Sequence, residues 1–521
     1  MQVLPHQPCS SLLEALPPEI LIQICQNLCL HCCHPRIGEV RFKDAAIWLR
    51  DQSAIARLSA CSRYLREIAQ PILFHFFHSL ESLFLLRGRL AVFLRALCLR
   101  PDLAKSVKSL VLWSPFIVHQ FGPVKPSFED AAKDKDGLLK SVLKKLGPWW
   151  ELQMKAGVDV LHSLALVLAP QASYVLIQRR FDDPSLKTSW VHWPHPLDNL
   201  RHLVLPGWRD PDTAQQTYHL NEMVGLLRHT KNLESLVAID CGIDSWRSSI
   251  GPQISLDSLP KDVELRFLKR ISINGRRLGP EYVEFIIRHS TVLEDVEYYH
   301  NYYDRGWQPL ELDKHFGAAK RTLRRLCYSA LPIKERLKHS DRIEDFVGRR
   351  PFLEAKFQDG VTFSDFSALE TLEVEQLFLY GPVFRPPDDM DNDRSLQLAT
   401  TEDFLAKFPP SLKHLRLGCI THWPIVFRDV LEMAQQRTRL PELCSVQLEV
   451  LAKPPKEDLE SLVFAFQCTG IAFSVLRTAS NPSSRGLLPP RPGYPVPAVV
   501  SFTGGTWEVE RQILWETREQ P

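Results

Sequence analysis

An excess of either charge is missing from this sequence: 63 Lys and Arg stand against 61 Asp and Glu, a formal net charge of +2 over 521 residues. A dedicated polyanion-binding surface is therefore not expected, because nucleic-acid binders cluster Lys and Arg to neutralise backbone phosphates. Long apolar runs are missing as well. No uninterrupted apolar run reaches roughly 18 residues, the length a membrane-spanning helix needs, so no membrane partner is expected. The 12 cysteines form no disulfide framework: they stand singly from Cys9 to Cys468, apart from a group between Cys25 and Cys33. The N-terminus has no basic segment followed by an uninterrupted apolar core. These features predict an intracellular, reducing location, cytoplasmic, nuclear or both. Signatures of catalysis are absent: there is no GxSxG, no HExxH, no GxxxxGK followed by Ser or Thr, and no GxGxxG after a strand. The 18 histidines have no spacing that fixes their geometry. A non-enzyme is expected, with no catalytic residue and no cofactor.

What is present begins at Leu12. Pro17 and Pro18 precede Glu19, Ile20, Leu21, Ile22, Ile24 and Leu28, which places proline where a helix can begin and an acidic residue near the positive end of its dipole. Ile20, Ile24 and Leu28 form one i, i+4, i+8 stripe with Leu21 and Cys25 beside it, a wide apolar face that one short helix cannot bury alone. A second helix is expected through Ile55, Leu58, Ser62, Leu65 and Ile68, ended or redirected by Pro71.

These residues resemble the F-box, the three-helix module of substrate receptors in SCF-type ubiquitin ligases, fungal ones in particular. The likeness runs through Leu16-Pro17-Pro18-Glu19-Ile20-Leu21, then Leu58-Ser59-Ala60-Cys61-Ser62-Arg63-Tyr64-Leu65-Arg66 and Ile68-Ala69-Gln70-Pro71-Ile72-Leu73. It departs from the family in an insertion, Cys29 to Gln52, between the two halves. The resemblance implies contact with a Skp-type adaptor, and through it a cullin, by Leu16, Pro17, Pro18, Glu19, Ile20, Ile24, Leu28, Leu58, Ser59 and Leu65. The insertion carries Cys29, His31, Cys32, Cys33 and His34. Zinc sites usually draw ligands from two separated pairs, and no second CxxC or HxxxH follows within fifty residues. Buried or loop thiols, and no metal, are expected.

After a helical connector, residues 80–105, a pattern with apolar residues at relative positions 1, 4 and 6 keeps returning. Instances are Val107/Leu110/Leu112, Leu161/Leu164/Leu166, Leu200/Leu203/Leu205, Leu233/Leu236/Ala238 and Leu268/Ile271/Ile273. It continues at Leu293/Val296/Tyr298, Leu323/Leu326/Tyr328, Leu369/Leu372/Val374, Leu412/Leu415/Leu417 and Leu443/Val446/Leu448. Positions 4 and 6 share one face of a strand. Helix-like segments such as Thr213 to His229, Pro280 to His289, Ile425 to Arg437 and Lys456 to Cys468 lie between, and stacking such units buries a continuous core. Residues 106–478 thus resemble a leucine-rich-repeat solenoid. Its irregularity shows at position 9, where only Cys241 and Asn301 match the regular repeat. The expected fold class is α/β: a tail, residues 1–11, an all-α F-box module over 12–79, and an irregular leucine-rich-repeat-like solenoid with parallel strands on its concave side. A proline-rich segment, residues 479–521, closes the chain.

Recognition is expected on solenoid loops and between the buried strand positions. Trp190 and Trp193, and Tyr299 and Tyr302, supply aromatic contact groups; Glu297, Arg325, Glu373 and Arg416 supply charges alternating in sign, which suits a protein partner better than nucleic acid. The residue pairs expected on that side include Ser163/Ala165, His202/Val204, Arg270/Ser272 and Asp295/Glu297. The loop from Pro386 to Ser395 has spaced aspartates but Arg394 where a calcium loop needs Gly, so it is expected to be a solvated acidic loop. The resemblance implies a non-catalytic substrate receptor holding a protein for ubiquitin transfer. The alternative is a non-degradative interaction scaffold.

Overall fold

The computed structural model describes residues 12–33, 45–79, 89–113, 137–146, 158–178, 195–206, 226–239, 263–275, 280–300, 315–329, 361–380, 401–420, 423–450, 453–478, 499–503 and 506–510. The chain divides into two compact units, residues 1–268 and 269–521. That boundary falls inside the stretch expected to be one solenoid.

The first unit opens with helices α1 (Pro18–Asn27), α2 (Leu30–Cys33), α3 (Ala45–Cys61) and α4 (Arg63–Leu73). α1 begins where two prolines forecast it, with Glu19 in the first turn. Leu21 and Cys25 are fully buried. Cys25 joins Cys29, Ile55, Ala69 and Ile72 in a small core, flanked by Leu28, Cys32, Leu58 and Leu73. Two expectations are corrected here. Ser62 lies between two helices, not within one: its backbone is extended and its Oγ accepts the Leu65 N–H at 3.3 Å, capping α4. Pro71 sits inside α4, which runs two residues past it. So near the end the proline forfeits a single helical bond, while Ile72 gains a buried position and Phe74 N–H bonds to Gln70 O at 3.2 Å.

Beyond the bundle come β1 (Phe76–His78), α5 (Arg89–Leu99), α6 (Pro101–Ala104), β2 (Ser109–Trp113), α7 (Leu138–Lys145), α8 (Val158–Leu168), β3 (Tyr174–Gln178), β4 (His202–Pro206) and β5 (Ser235–Ile239). The strands pair in parallel and in sequence order. Leu161, Leu164 and Leu166 are the triplet that fails: they lie in helix α8, and Ser163 and Ala165 are buried with them. A short continuous apolar run carries no periodicity that separates helix from buried strand. The strand comes later, and Ala172/Val175/Ile177 keeps the 1, 4, 6 spacing with alanine in the leading place.

The second unit contains β6 (Arg270–Gly275), α9 (Pro280–Arg288), β7 (Asp295–His300), β8 (Arg325–Ser329), β9 (Thr371–Glu375), α10 (Gln376–Tyr380), α11 (Thr401–Ala406), β10 (His414–Ile420), α12 (Trp423–Gln435), β11 (Ser445–Val450), α13 (Lys456–Thr469) and β12 (Ala472–Thr478). β6 to β12 are again parallel neighbours in order. β13 (Val499–Thr503) and β14 (Thr506–Glu510) add antiparallel strands beyond β12. The position 4 and 6 side chains of β6 to β11 are buried. Helices cover them: Phe466 of α13 stacks on Phe473 at 4.7 Å, and Phe378 of α10 on Tyr328 at 4.2 Å.

One bond recurs at the start of each repeat. The carbonyl of Lys269 accepts from the N–H groups of Glu294 and Asp295, that of Glu294 from Arg324 and Arg325, that of Glu370 from Lys413 and His414. The first unit repeats it at His75, Lys108, Ser173 and Arg201. Polar side chains strengthen the same leading turns: Asn232 Nδ2 donates to Asp198 O at 2.7 Å, Thr322 to Leu293 O at 2.8 Å and Ser411 to Leu369 O at 2.9 Å. In a regular repeat such residues stand at position 9, on the exit side. Cys241 and Asn301 lie outside the described residues, as do residues 34–44, 80–88, 207–225, 386–395 and 479–498.

Candidate functional site

Two surfaces carry the residues singled out from the sequence. On α1 the inward stripe is Leu21 and Cys25, so the neighbouring stripe is left in water: Ile20 is 42% exposed and Ile24 36%. Pro17, Pro18 and Glu19 are exposed; Leu16, Leu28, Leu58 and Ser59 are half-buried. Leu65 is buried and belongs to the bundle interior. The surface extends to residues outside the expected adaptor contacts, Leu12, Leu13, Ile22 and Tyr64. Tyr64 Oη lies 3.5 Å from Leu16 O and ties α4 to the turn leading into α1. Burying a fully exposed isoleucine stabilises by about 1.5–3 kcal/mol; with Ile20 42% and Ile24 36% exposed, covering each contributes roughly 1 kcal/mol, so a partner gains affinity without rearranging the bundle.

The second surface is the side of β6 to β10 opposite their core. Strand register aligns Arg270, Asp295, Arg325, Thr371 and His414 in one row, and Ser272, Glu297, Cys327, Glu373 and Arg416 in the next. Arg325 bonds Asp295 at 2.9 Å and Glu297 at 2.5 Å; Arg270 lies 3.5 Å from Asp295 and 3.3 Å from Glu297; Ser272 Oγ donates to Glu297 at 2.8 Å. Arg416 stands 4.0 Å from Glu373. Burial opposes charge on Glu297, but the Arg325 hydrogen bond and charge, with Ser272 and Arg270, outweigh it and hold the carboxyl below its ordinary range. For Asp295 burial prevails over Arg325, and Glu297 adds to it, so that carboxyl is pushed up. Burial, with Cys327 and Glu297 nearby, raises the Tyr299 phenol. The Cys327 thiol is pushed up by burial and by Glu373, the reverse of what activates a nucleophile. Tyr299, Glu297, Arg325, Glu373 and Arg416 thus lie on neighbouring strands, β7 to β10. Trp190, Trp193 and Tyr302 lie outside the described residues.

No protein-family model matches the chain, and no curated protein matches it.

A third group could hold a metal. Cys29, His31, Cys32 and His75 place their ligand atoms within 4.8 Å of one another. The sequence has no second pair of ligands near the first. The structure supplies a single histidine just after α4, which no spacing motif would reveal. Among the described residues no helix is long and apolar enough to cross a membrane.

Proposed function

We propose that this chain is the substrate-recognition subunit of a cullin-RING ubiquitin ligase. Residues 12–79 serve as an F-box that holds a Skp-type adaptor, and the leucine-rich-repeat-like strands of the second unit hold a protein substrate. The observation that carries the docking half is the division of α1 into a buried stripe, Leu21 and Cys25, and an exposed apolar stripe, Ile20 and Ile24. Both stripes are apolar, and the bundle uses only one. The receptor contributes no side-chain chemistry; it raises the local concentration of substrate near the transferring enzyme.

Co-purification tests this. The Ile20→Glu/Ile24→Glu chain keeps its thermal melt and loses the adaptor and the cullin; full retention of both would overturn the assignment. In the same cells, proteins captured through the second unit should live longer with the variant than with the natural chain. Unchanged lifetimes would turn the reading toward a scaffold.

A further inference from the structure

The cluster at the edge of the helical bundle has the composition and spacing of a structural metal site. Tetrahedral zinc binds thiolate sulfur at about 2.3 Å and imidazole nitrogen at about 2.0–2.1 Å, which sets sulfur-to-nitrogen separations near 3.6 Å between ligands. Cys32 Sγ lies 3.6 Å from His75 Nδ1 and 3.8 Å from His31 Nδ1. The two imidazoles stand edge to face, with ring centres 5.6 Å apart and planes at 80°, so both rings approach one point without stacking.

The backbone that presents these groups is already held. Cys32 N–H bonds to Cys29 O at 3.0 Å, closing the turn that sets the two cysteines three residues apart on one side. Leu30, between two of the ligands, is buried against Phe76, Val111, Tyr174, Leu176 and Val204. On the other side, His75 O accepts from Lys108 and Ser109 N–H at 3.0 and 2.9 Å. Neighbouring thiols are turned elsewhere: Cys33 Sγ faces Asn27 O at 3.1 Å, and Cys25 is buried within the bundle core.

We propose that Cys29, His31, Cys32 and His75 bind one zinc ion as a structural Cys2His2 site. The ion joins α2, at the start of the insertion, to the residue that links α4 to β1, 43 positions away from Cys32. Binding releases the two thiol protons to solvent. The inference does not depend on the docking reading, since Ile20 and Ile24 take no part in it.

The test uses the full, untagged chain, purified without chelator from zinc-containing medium. Elemental analysis should find about one zinc per chain, and X-ray absorption at the zinc edge two sulfur and two nitrogen neighbours at about 2.3 and 2.0 Å. His75→Ala and Cys32→Ser should each lose the zinc, whereas Cys33→Ser and Ile20→Glu/Ile24→Glu should keep it. Because a ligand variant could unfold, the natural chain is also treated with a zinc chelator: its thermal midpoint should fall and recover when zinc alone is added back. A chain without zinc, zinc retained in His75→Ala, or an all-sulfur coordination shell would each overturn the site.

Discussion

In the first unit, the strand positions opposite the helix-covered core read Val111, Leu176, Val204 and Val237; in the second, the equivalent positions read Glu297, Cys327, Glu373 and Arg416. The adjacent row is mixed but uncharged in the first unit, with Phe76, Ser109, Tyr174 and His202, and mainly charged in the second, with Arg270, Asp295, Arg325 and Thr371. The backbone is alike in both: parallel strands in order, each start held by the same carbonyl. A parallel strand needs one buried face for its position 4 and 6 side chains, and this leaves the other face free to carry different chemistry. The first unit uses that freedom for attachment, since Leu30 of α2 joins its apolar cluster. The second builds a half-buried ionic ladder, suited to a partner of matching charges.

The sharpest way to break this comparison is to charge the apolar face. Leu176→Asp should cost about 4 kcal/mol, because a carboxylate enters a position that is 6% exposed among valines; chemical denaturation of the full chain reads it. A loss under about 1 kcal/mol would show that this face tolerates charge as the other does. Removing a charge from the second face comes next. Arg325→Ala removes the nearer of the two cations that Asp295 and Glu297 share, leaving Arg270, and should cost about 2 kcal/mol, less than a fully buried pair because the Arg325 side chain is 36% exposed. An unchanged denaturation midpoint would reduce the ladder to a surface ornament.

The smallest effect is also the most specific. Glu297→Gln should cost about 1 kcal/mol at neutral pH. The folded state holds Glu297 below its ordinary range, so its stabilisation is complete above the unfolded value and disappears as pH falls through the folded value. The gap in thermal midpoint between natural and variant chains should therefore be constant near pH 7 and begin to narrow as pH falls below about 4.3, the ordinary glutamate value. Asp295 has the opposite sign: its carboxyl is raised, so its contribution is fullest below the unfolded value and is lost as pH rises through the folded one. Asp295→Asn should accordingly gain relative to the natural chain over the same rise. Parallel pH profiles for the two variants would contradict the ladder's electrostatics.

Much of the architecture was legible because it is local. Leu203 and Leu205, Val296 and Tyr298, or Leu415 and Leu417 announce a strand by two apolar residues on one face, and all are buried there. Lys456–Thr469 and Trp423–Gln435 announce helices by their length and spacing. The failure at Leu161 to Leu166 has the same origin, since a segment buried all round shows no period. On the charged face, the alternation of Arg270, Asp295, Arg325 and Glu297 could be read from strand spacing, but not which carboxylate each arginine holds. That depends on register between strands some thirty residues apart.

The N-terminal stretch shows the same division. The sequence alone determined that a helix begins at Pro18, that its face is apolar over more than one stripe, and that the strands repeat: proline geometry and side-chain periodicity are properties of neighbouring residues. Only the tertiary structure decided that Leu21 and Cys25 turn inward while Ile20 and Ile24 stay out, that Ser62 caps a new helix, and that His75 meets Cys29, His31 and Cys32. Those outcomes depend on which distant segments pack together, and no local pattern encodes a contact across forty residues.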